Sequence, residues 1–523
     1  MKKSVKTINS NRIVLSTNGY RLNKEKFTKE QIDEIKEELT VKPISFNDAD
    51  IEPYAIYRET PSELIIPRHY GVGKLGKHDI DTFKHATTKM QFLKNLRDYQ
   101  EDICVKCVRY LQNHNGGILS VPCGRGKTVM ALKLACILGL KTLVVVHKSF
   151  LQDQWVARIN QFTDAKVGII RQDKIKVANV DIVVGMLQSI AMKDYDPKIF
   201  DDFGCVIYDE CHHTASKIYV NALYKTCGKY TIGLSATPKR ADGLTKVINW
   251  YIGNMMYSEK QQKNLQVVAK ILYYKSNHPN FKEYKKWYLK TRKSLPDTVK
   301  MITNLCDSDE RNMHLVNIIN ELRKNPERKI LVLSERKQHL TDLKTFVDSS
   351  IQKDIENGII LPNECISCFY TGDCTREERN MAEEDGDILF ATTGLANEGL
   401  DIERLNTIIL ATPMRKITQA IGRIMRKILK TGDIRPLIID FSDKLSSFVS
   451  QSNDREKEYI NTDYKIEHYY IRNANLVTFD AYMLEEGYLD QEDIDAIPDK
   501  PNYIPQWSNV LNIDNVQNIA NDE

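Results

Sequence analysis

The chain has 523 residues, of which 42% are hydrophobic and 28% are charged, and its formal net charge is +4. That length exceeds what one hydrophobic core organises, so we expect two or three domains of ordinary globular composition rather than a disordered or fibrous chain. Apolar runs of about 18 residues do not occur, which excludes a membrane-spanning helix at the sequence level, and the weak net charge alone does not indicate nucleic-acid binding.

The eleven cysteines are spread over apparent helices and strands. Because the basic N-terminal stretch lacks the apolar core of a signal peptide, we expect reduced thiols and a cytoplasmic location. Cys104 and Cys107 have the C-x-x-C spacing, as do Cys365 and Cys368, but the two pairs fall in different predicted domains. Ordinary buried thiols are therefore favoured over a zinc site.

The first 85 residues are predicted to form a small N-terminal module. Residues 29–39 have the pattern of a helix, and residues 51–70 are typical of two strands around a turn at Glu59–Ser62.

Two series of short apolar runs follow, separated by helical stretches. The first series comprises residues 118–122, 142–146, 180–185, 205–208 and 230–235. The second comprises residues 329–333, 365–370, 387–392, 407–412 and 437–441. Runs of this kind predict parallel strands buried on both faces, so the fold class is α/β with two tandem parallel sheets and a cleft between them. Ligands of such sheets bind at the carboxyl ends of the strands, where we expect the chemistry.

The first apolar run leads into the sequence GRGKT and then into a helical stretch, which is the layout of a phosphate-binding loop. Gly124 and Gly126 allow backbone N–H groups to approach phosphate oxygens, and the helix N-terminus adds partial positive charge. We expect Lys127 to neutralise the β- and γ-phosphates of ATP and Thr128 to hold Mg²⁺. The strict motif is not met, because Val121 occupies the position of its first glycine, so a chance glycine-rich turn is the alternative.

A pair of acids follows another apolar run of the same series. The run Cys205–Tyr208 leads directly into Asp209 and Glu210, which places both carboxylates at the carboxyl edge of the sheet. We expect Asp209 to hold Mg²⁺ and Glu210 to orient or deprotonate the attacking water. Two acids could merely cap a strand, but their order and spacing relative to the glycine loop favour an ATP site.

Two further segments are candidates for coupling and catalysis. Ser235 and Thr237 follow the next apolar run, where hydroxyl groups can bond the acidic edge, although a plain turn has the same composition. In the second series, Gln419, Arg423 and Arg426 recur on one helical face. The arginines are candidate arginine fingers that reach the γ-phosphate, each worth about 10³–10⁵ in rate, and the alternative is a basic helix face in water.

Nine short segments occur in the order of the superfamily 2 helicase motifs. They are LRDYQ at 96–100, PCGRGKT at 122–128, TLVVVHK at 142–148, GMLQS at 185–189, DECHH at 209–213, GLSATPKRADG at 233–243, FYTG at 369–372, ATTGLANEGLDI at 391–402 and QAIGRIMR at 419–426. The chain resembles superfamily 2 helicases over about Leu96 to Phe441. Within them it is similar to the XPB-like branch, in particular to the transcript-release helicases of poxviruses and other large cytoplasmic DNA viruses.

The resemblance implies two RecA-like domains and a set of contacts. Arg97 and Gln100 are expected to contact adenine, and Gly399 and Asp401 to lie near the nucleotide. His212 is expected in a nucleotide-coupling network rather than in a metal site. The nucleic-acid contacts are expected at His147, Lys148, Gln188, Ser189, Thr392 and Thr393.

Two of the motifs differ from those of related helicase families. The segment 240–242 reads Arg-Ala-Asp where the XPB signature has Arg-Glu-Asp, which argues against an XPB-type strand-opening role, and DECH argues against the DEAD-box RNA helicases.

Residues 281–293 mix aromatic residues and lysines, and their spacing predicts a helix with Phe281, Tyr284 and Tyr288 on one face. That helix either buries an aromatic stripe or grips nucleic acid with a base stacked on Trp287.

These elements predict four regions. They are an N-terminal module at 1–85, an ATP-binding RecA-like domain at 86–258, a C-terminal RecA-like domain at 259–450, and an extension at 451–523. From Asp480 to Glu523 there are eleven acidic residues and one basic residue, Lys500, which predicts a solvated or partly disordered arm.

We therefore expect an ATP-dependent helicase or translocase that moves on DNA with ATP and Mg²⁺ as cofactors. RNA as the substrate remains open, as do RNA polymerase or transcription factors as partners, and no membrane partner is expected. Transcript release in viral transcription, in a viral factory or virion, is the first interpretation. A repair or recombination helicase acting on forks and junctions is the second. A non-catalytic binding module is disfavoured by the intact Lys127, Asp209, Glu210, Arg423 and Arg426.

Overall fold

The computed structural model describes residues 13–44, 51–122, 124–240, 242–259, 266–288, 292–399, 402–415, 417, 421, 429–487, 490–495, 506–511 and 513. The chain divides into two compact units, Met1–Lys260 and Gln261–Glu523. Within these described ranges, every helix is too short or too polar to cross a bilayer.

The N-terminal part of the first unit forms a mixed sheet, a separate pair of strands and two helices. Its elements are β1 Ile13–Ser16, β2 Gly19–Asn23, α1 Lys29–Glu38, β3 Thr40–Val41, β4 Tyr54–Ala55, β5 Arg58–Glu59, β6 Glu63–Ile66, α2 Arg68–Leu75 and β7 Ile80–Asp81. The mixed sheet has the order β5-β6-β2-β1-β7, and the separate pair is β3 and β4. The predicted helix and the predicted strand pair around the Glu59–Ser62 turn are confirmed, with Arg58 opposite Ile65 in an antiparallel register. Side chains of this sheet share a hydrophobic core with the larger sheet of the same unit.

The larger sheet of the first unit carries the candidate site. Its elements are α3 Asp98–His114, β8 Gly116–Ser120, α4 Lys127–Leu138, β9 Thr142–Val146, α5 Ser149–Phe162, β10 Val167–Arg171, β11 Lys174–Lys176, β12 Ile182–Met186, α6 Leu187–Met192, β13 Cys205–Tyr208, α7 Val220–Lys225, β14 Tyr230–Ser235, α8 Thr245–Ile252 and β15 Met255–Ser258. The described strands lie in the order β11-β10-β12-β9-β13-β14-β8-β15, and all neighbours are parallel except β10 and β11. The central strands β8, β9, β12 and β13 are buried throughout, as continuous apolar runs predict.

The second unit is built on another parallel sheet. Its elements are β16 Val268–Lys275, β17 Lys285–Tyr288, β18 Lys293–Pro296, α9 Thr298–Cys306, α10 Asp309–Leu322, β19 Ile330–Ser334, α11 Lys337–Glu356, β20 Ser367–Tyr370, α12 Arg376–Glu384, β21 Ile388–Thr392, α13 Thr393–Gly399, β22 Thr407–Leu410, β23 Leu437–Asp443, α14 Ser447–Asn461, β24 Lys465–Arg472, β25 Asn475–Val477, α15 Phe479–Glu485, α16 Gln491–Asp495 and α17 Trp507–Leu511. The described strands lie in the order β20-β21-β19-β22-β23-β16-β24-β25, and only β24 and β25 are antiparallel. Both units are therefore α/β, as predicted.

Residues 281–293 do not form the predicted helix. Strands β17 and β18 pair as an antiparallel hairpin, with Trp287 opposite Ser294. Phe281 and Tyr284 pack at the base of the hairpin against a small apolar cluster, whereas Trp287 is 56% exposed. The helical prediction was wrong because Phe281 and Tyr284 precede the strand, which holds only Lys285–Tyr288, a segment in which Trp and Tyr favour extended backbone.

Part of the acidic tail packs instead of forming a solvated arm. Val510 and Leu511 in α17 are buried, and Trp507 contacts the ring of His314 with centroids 5.7 Å apart. Glu486 pairs with Lys275 of β16. The expectation of a solvated arm was wrong for these residues because it counted acidic charge and overlooked the few apolar side chains.

Candidate functional site

The phosphate loop, the acid pair and the Ser235 segment meet at one edge of the first sheet. Strand β14 lies between β13 and β8, and the register aligns Ser235 with Ser120 and Tyr208 with Gly233. Because the three strands are parallel, the segments that follow their carboxyl ends are neighbours. This is the edge at which open α/β sheets bind ligands.

The glycine loop has the backbone that a phosphate cradle requires. Gly124 and Gly126 adopt φ values of +81° and +82°, a region that residues with a Cβ rarely occupy. The helix α4 starts at Lys127, immediately after Gly126. The Lys127 Nζ donates to the carbonyl oxygen of Val121 at 3.3 Å, so the ammonium group folds back over the loop. Backbone N–H groups, a helix N-terminus and a lysine thus converge there, an arrangement suited to a polyphosphate.

Gln100 braces the loop from helix α3. Its Nε2 donates to the carbonyl oxygen of Arg125 at 3.1 Å, and a Cβ on Gly126 would lie 2.4 Å from that nitrogen. The Gln100 side-chain oxygen accepts from the backbone N–H of Arg97 at 3.1 Å, while the Arg97 side chain is exposed. The structure therefore places both predicted adenine-contacting residues beside the loop.

Two residues that the sequence did not identify fix the orientation of Arg125. Its guanidinium lies 3.8 Å from the ring centroid of Tyr99 and makes a two-bond ion pair with Glu259, at 2.7 and 3.2 Å. Tyr99 belongs to the LRDYQ segment, but Glu259 lies far along the chain after β15. A glutamate outside any motif gives no local signal of such a contact.

Both carboxylate oxygens of Asp209 are engaged by the protein. The indole Nε1 of Trp155 donates to Oδ2 at 2.8 Å, and the backbone N–H of Glu210 donates to Oδ1 at 3.1 Å. Trp155 lies in helix α5 and is 2% exposed. Sequence reasoning missed this contact, although a buried tryptophan generally needs an acceptor for its N–H group.

Glu210 lies beside the predicted coupling residues. Its backbone has a φ of +44°, and one carboxylate oxygen is 3.4 Å from Nδ1 of His212. The same nitrogen is 3.0 Å from the hydroxyl oxygen of Ser235, which also accepts from the backbone N–H of Thr237 at 3.1 Å. His212, Ser235 and the backbone of Thr237 are therefore linked to one another beside Glu210.

The predicted nucleic-acid residues of the first unit have different surroundings. His147 is 6% exposed, and its carbonyl oxygen accepts a hydrogen bond from the side chain of Gln188. Ser189 is 8% exposed and accepts from the backbone N–H of Gln172 at 3.0 Å. Lys148 is half-buried and precedes α5. Gln188 and Lys148 are thus the more accessible members of this group.

In the second unit, Thr392 ends strand β21 and Thr393 begins helix α13, whose last residue is Gly399. Both threonines are half-buried at the carboxyl edge of that sheet. The remaining predicted residues, Asp401, Gln419, Arg423 and Arg426, lie outside the described residues.

The donors at the first edge suit the cofactors that the motifs imply. Thr128 and Asp209 offer hydroxyl and carboxylate oxygens, the hard donors that Mg²⁺ prefers, and Gly124 and Gly126 give the loop positive φ values that residues with a Cβ rarely adopt. Across the part of the chain that the structure describes, three or more metal-binding side chains do not cluster anywhere. Mg²⁺ would then be held jointly by the nucleotide and by these few oxygens.

Comparison with protein families and known proteins gives a consistent result. Residues 93–240 match the family model described as the res subunit of type III restriction enzymes, and residues 311–428 match the helicase conserved C-terminal domain. A protein of Acanthamoeba polyphaga mimivirus named as an ATP-dependent RNA helicase, L396, is 34% identical over 525 residues, covering 96% of this chain and 98% of its own. The DNA 3'-5' translocase XPB2 of Sulfurisphaera tokodaii is 28% identical over 358 residues, covering 64% of this chain and 79% of its own.

A solved structure supports the fold. A fragment of an HsdR-type subunit of a type I restriction enzyme from Vibrio vulnificus superposes with a TM-score of 0.52 at 16% identity, covering 74% of this chain and 71% of the fragment. The two family matches, the full-length relative and the geometry of the phosphate edge agree. The chain belongs to the superfamily 2 helicases, in the type found in large DNA viruses, and is an ATP-hydrolysing helicase.

Proposed function

We propose that this helicase hydrolyses ATP at the edge formed by the glycine loop and the Asp209–Glu210 pair, and that hydrolysis drives movement along DNA. The observation that carries the proposal is the convergence of Lys127, Asp209, Glu210 and Ser235 on the carboxyl ends of neighbouring parallel strands. Each of these residue types has a separate task in phosphoryl transfer, and their meeting at one edge is what that reaction needs.

The tasks follow from the contacts of each residue. Lys127 and the loop N–H groups bind the β- and γ-phosphates, and Thr128 with Asp209 holds Mg²⁺. Bound Mg²⁺ neutralises charge on the phosphate oxygens. Glu210 orients the attacking water and accepts its proton. Burial of Glu210 at 8% exposure limits the water that can reach its carboxylate, which favours one well-placed molecule.

Further catalytic groups are proposed in the segment QAIGRIMR at 419–426. We propose that Gln419, Arg423 and Arg426 act on the γ-phosphate, the arginines as fingers that stabilise charge in the transition state. Gly399 and Asp401 are proposed to lie near the nucleotide.

Nucleic acid is proposed to bind mainly through its backbone. Gln188, Lys148 and Thr392 are half-buried polar residues at the carboxyl edges of the two sheets. Contacts to phosphate and sugar carry little sequence information, so sequence preference should be slight. The exposed Trp287 on the β17–β18 hairpin adds a platform on which a base can stack.

We propose transcript release during viral transcription as the pathway, with RNA polymerase or a transcription factor as the partner, in a viral factory or virion. The viral relatives support it. Besides the mimivirus protein, a protein of African swine fever virus named as an ATP-dependent RNA helicase, QP509L, is 25% identical over 408 residues, covering 71% of this chain and 74% of its own. Those names favour an RNA-directed helicase as the second candidate, whereas the XPB2 relative named as a DNA translocase favours DNA. Remodelling of forks and junctions in repair is the third.

The test compares ATPase rates with double-stranded DNA, single-stranded DNA and RNA at fixed ionic strength. The proposal expects stimulation by DNA and, in a stalled elongation complex of the viral polymerase, release of the transcript only with hydrolysable ATP. Stimulation by RNA alone would favour the second candidate. Stimulation by DNA without transcript release, together with activity on forked DNA, would favour the third. Absence of stimulation by any nucleic acid would contradict the proposal.

A further inference from the structure

Three histidine rings contact one another in a row that ends beside Glu210 and Ser235. The ring centroids of His147 and His213 are 4.1 Å apart with an interplanar angle of 30°, and those of His213 and His212 are 4.3 Å apart at 40°. His147 is 6% exposed and the side chain of His212 is 19% exposed. The row is therefore buried at His147 and half-buried at His212 and His213.

The two ends of the row meet different parts of the site. At one end, His147 follows strand β9, and its carbonyl oxygen accepts a hydrogen bond from the Gln188 side chain. At the other end, Nδ1 of His212 is 3.0 Å from the Ser235 hydroxyl and 3.4 Å from a carboxylate oxygen of Glu210. The row thus links the peptide group of His147, which the half-buried Gln188 contacts, to the carboxylate assigned to the attacking water.

The turn that carries His212 and His213 is held firmly at its backbone. Residues Cys211–His213 form a 3-10 turn, and the N–H of His213 donates to the carbonyl oxygen of Glu210 at 3.0 Å. The guanidinium of Arg240 donates to the carbonyl oxygen of His212. Glu210 itself has a φ of +44°, a left-handed conformation that a side-chain-bearing residue adopts only when its surroundings impose it.

We propose that His147 and His213 are positioning residues that couple nucleic-acid binding at Gln188 to the placement of Glu210. Rings at these separations are in contact, and closely packed interiors transmit small displacements. A shift of the β9 end on binding moves the ring of His147, and His213 passes the shift to His212 and its bond to Glu210. This inference rests on the proposed function, because it takes Gln188 as a nucleic-acid contact and Glu210 as the group that orients water.

The test removes the middle ring. His213→Ala is expected to reduce the ratio of nucleic-acid-stimulated to basal ATPase rate by about 5- to 150-fold, the usual range of coupling between sites. The basal rate, the KM for ATP and the Kd for nucleic acid are expected to stay near those of the wild type. His213→Phe keeps a stacking ring and should restore most of the ratio. His114→Ala is the matched control, because it removes an imidazole stacked on Tyr110 at 4.3 Å elsewhere in the same unit.

The outcomes separate the inference from the proposed function. An unchanged ratio in His213→Ala, or an equal fall in basal and stimulated rates, would overturn the coupling role while leaving the helicase assignment intact. A wild-type enzyme that no nucleic acid stimulates would instead contradict the proposed function. If His213→Ala does not fold, His213→Leu fills the space without a ring face and gives the same test. Gln188→Ala combined with either variant should be non-additive in the stimulation ratio.

Discussion

The hydrogen bond from Trp155 to Asp209 gives a prediction whose magnitude can be worked out from the structure. The indole N–H donates to Oδ2 at 2.8 Å from a side chain that is 2% exposed, so solvent cannot substitute for it easily. Hydrogen bonds to charged groups contribute about 1.5–3 kcal/mol. If the bond serves to aim the carboxylate at Mg²⁺, Trp155→Phe should lower kcat/KM for ATP by about 10- to 150-fold, because each 1.36 kcal/mol is tenfold in rate.

The assay is steady-state ATPase activity titrated with Mg²⁺ at saturating nucleic acid. The Trp155→Phe variant should need more Mg²⁺ for half-maximal rate, because the Asp209 carboxylate is no longer held in one orientation by the indole N–H. Trp155→Phe should lower the free energy of unfolding by less than the ~3–5 kcal/mol that a tryptophan-to-alanine truncation costs. Urea unfolding of the variant measures this loss. Trp250→Phe is the matched control, because this tryptophan packs on Tyr70 away from the site.

The reasoning would be refuted by a Trp155→Phe enzyme whose kcat/KM and Mg²⁺ requirement lie within about twofold of the wild type, which is far less than the loss of a buried charge-assisted bond allows. It would also be refuted if Trp250→Phe produced the same change, because the effect would then reflect general loosening of the first unit.

Three further predictions follow from other contacts. Arg423→Ala should lower the stimulated ATPase rate by about 10³- to 10⁵-fold without a matching loss of ATP binding, measured by nucleotide fluorescence. Trp287→Ala should weaken single-strand affinity by about 5- to 150-fold, whereas Phe346→Ala, which also removes an exposed aromatic of the second unit, should not. Burial and, secondarily, the charge of Arg311 lower the pKa of His339 to about 3. Between pH 6.5 and 3, His339 is therefore protonated in the unfolded chain but neutral in the folded chain. This histidine should therefore lower stability by up to about 1.4 kcal/mol per pH unit from pH 6.5 towards 3, and urea melts of His339→Asn should show a slope that is smaller by that amount.

The sequence predicts the sheets best where strands are buried on both faces. Thr142–Val146, Cys205–Tyr208 and Tyr230–Ser235 have the predicted bounds, because uninterrupted apolar runs allow no other periodicity. Strands β16 and β24 were not predicted. Lys270 interrupts the apolar pattern of β16 and is only 1% exposed, because Glu467 of the adjacent β24 pairs with it at 2.9 Å.

The buried pair of Lys270 and Glu467 shows why some strands cannot be predicted from the sequence. Burial lowers the pKa of Lys270 despite its bond to Glu467. For Glu467, hydrogen bonds from Lys465 and Lys270 outweigh burial and hold the pKa at about 2. A charge inside a sheet is tolerated only when its partner is also in place, and that partner lies almost 200 residues along the chain.

The candidate site likewise contains contacts that the sequence predicts and contacts that it does not. The glycine loop, the acid pair and the link from His212 to Ser235 follow from local motifs, because their geometry depends on strand ends that the apolar runs already define. Trp155 and Glu259 could not be found, because their roles depend on where a helix and a distant loop come to lie. The hairpin of β17 and β18 was misassigned, because the helical spacing of Phe281, Tyr284 and Tyr288 joined residues inside the strand to residues that precede it.

The most direct test of the ATP site is the Lys127→Ala substitution in the full chain, with Lys133→Ala on the same helix as the control. Lys133 lies 5.3 Å from the ring centroid of Phe92 and has no assigned role in phosphate binding. The account predicts that Lys127→Ala lowers nucleic-acid-stimulated ATPase by at least about 10²- to 10³-fold, while Lys133→Ala retains near wild-type turnover. A Lys127→Ala enzyme with normal turnover would contradict the account.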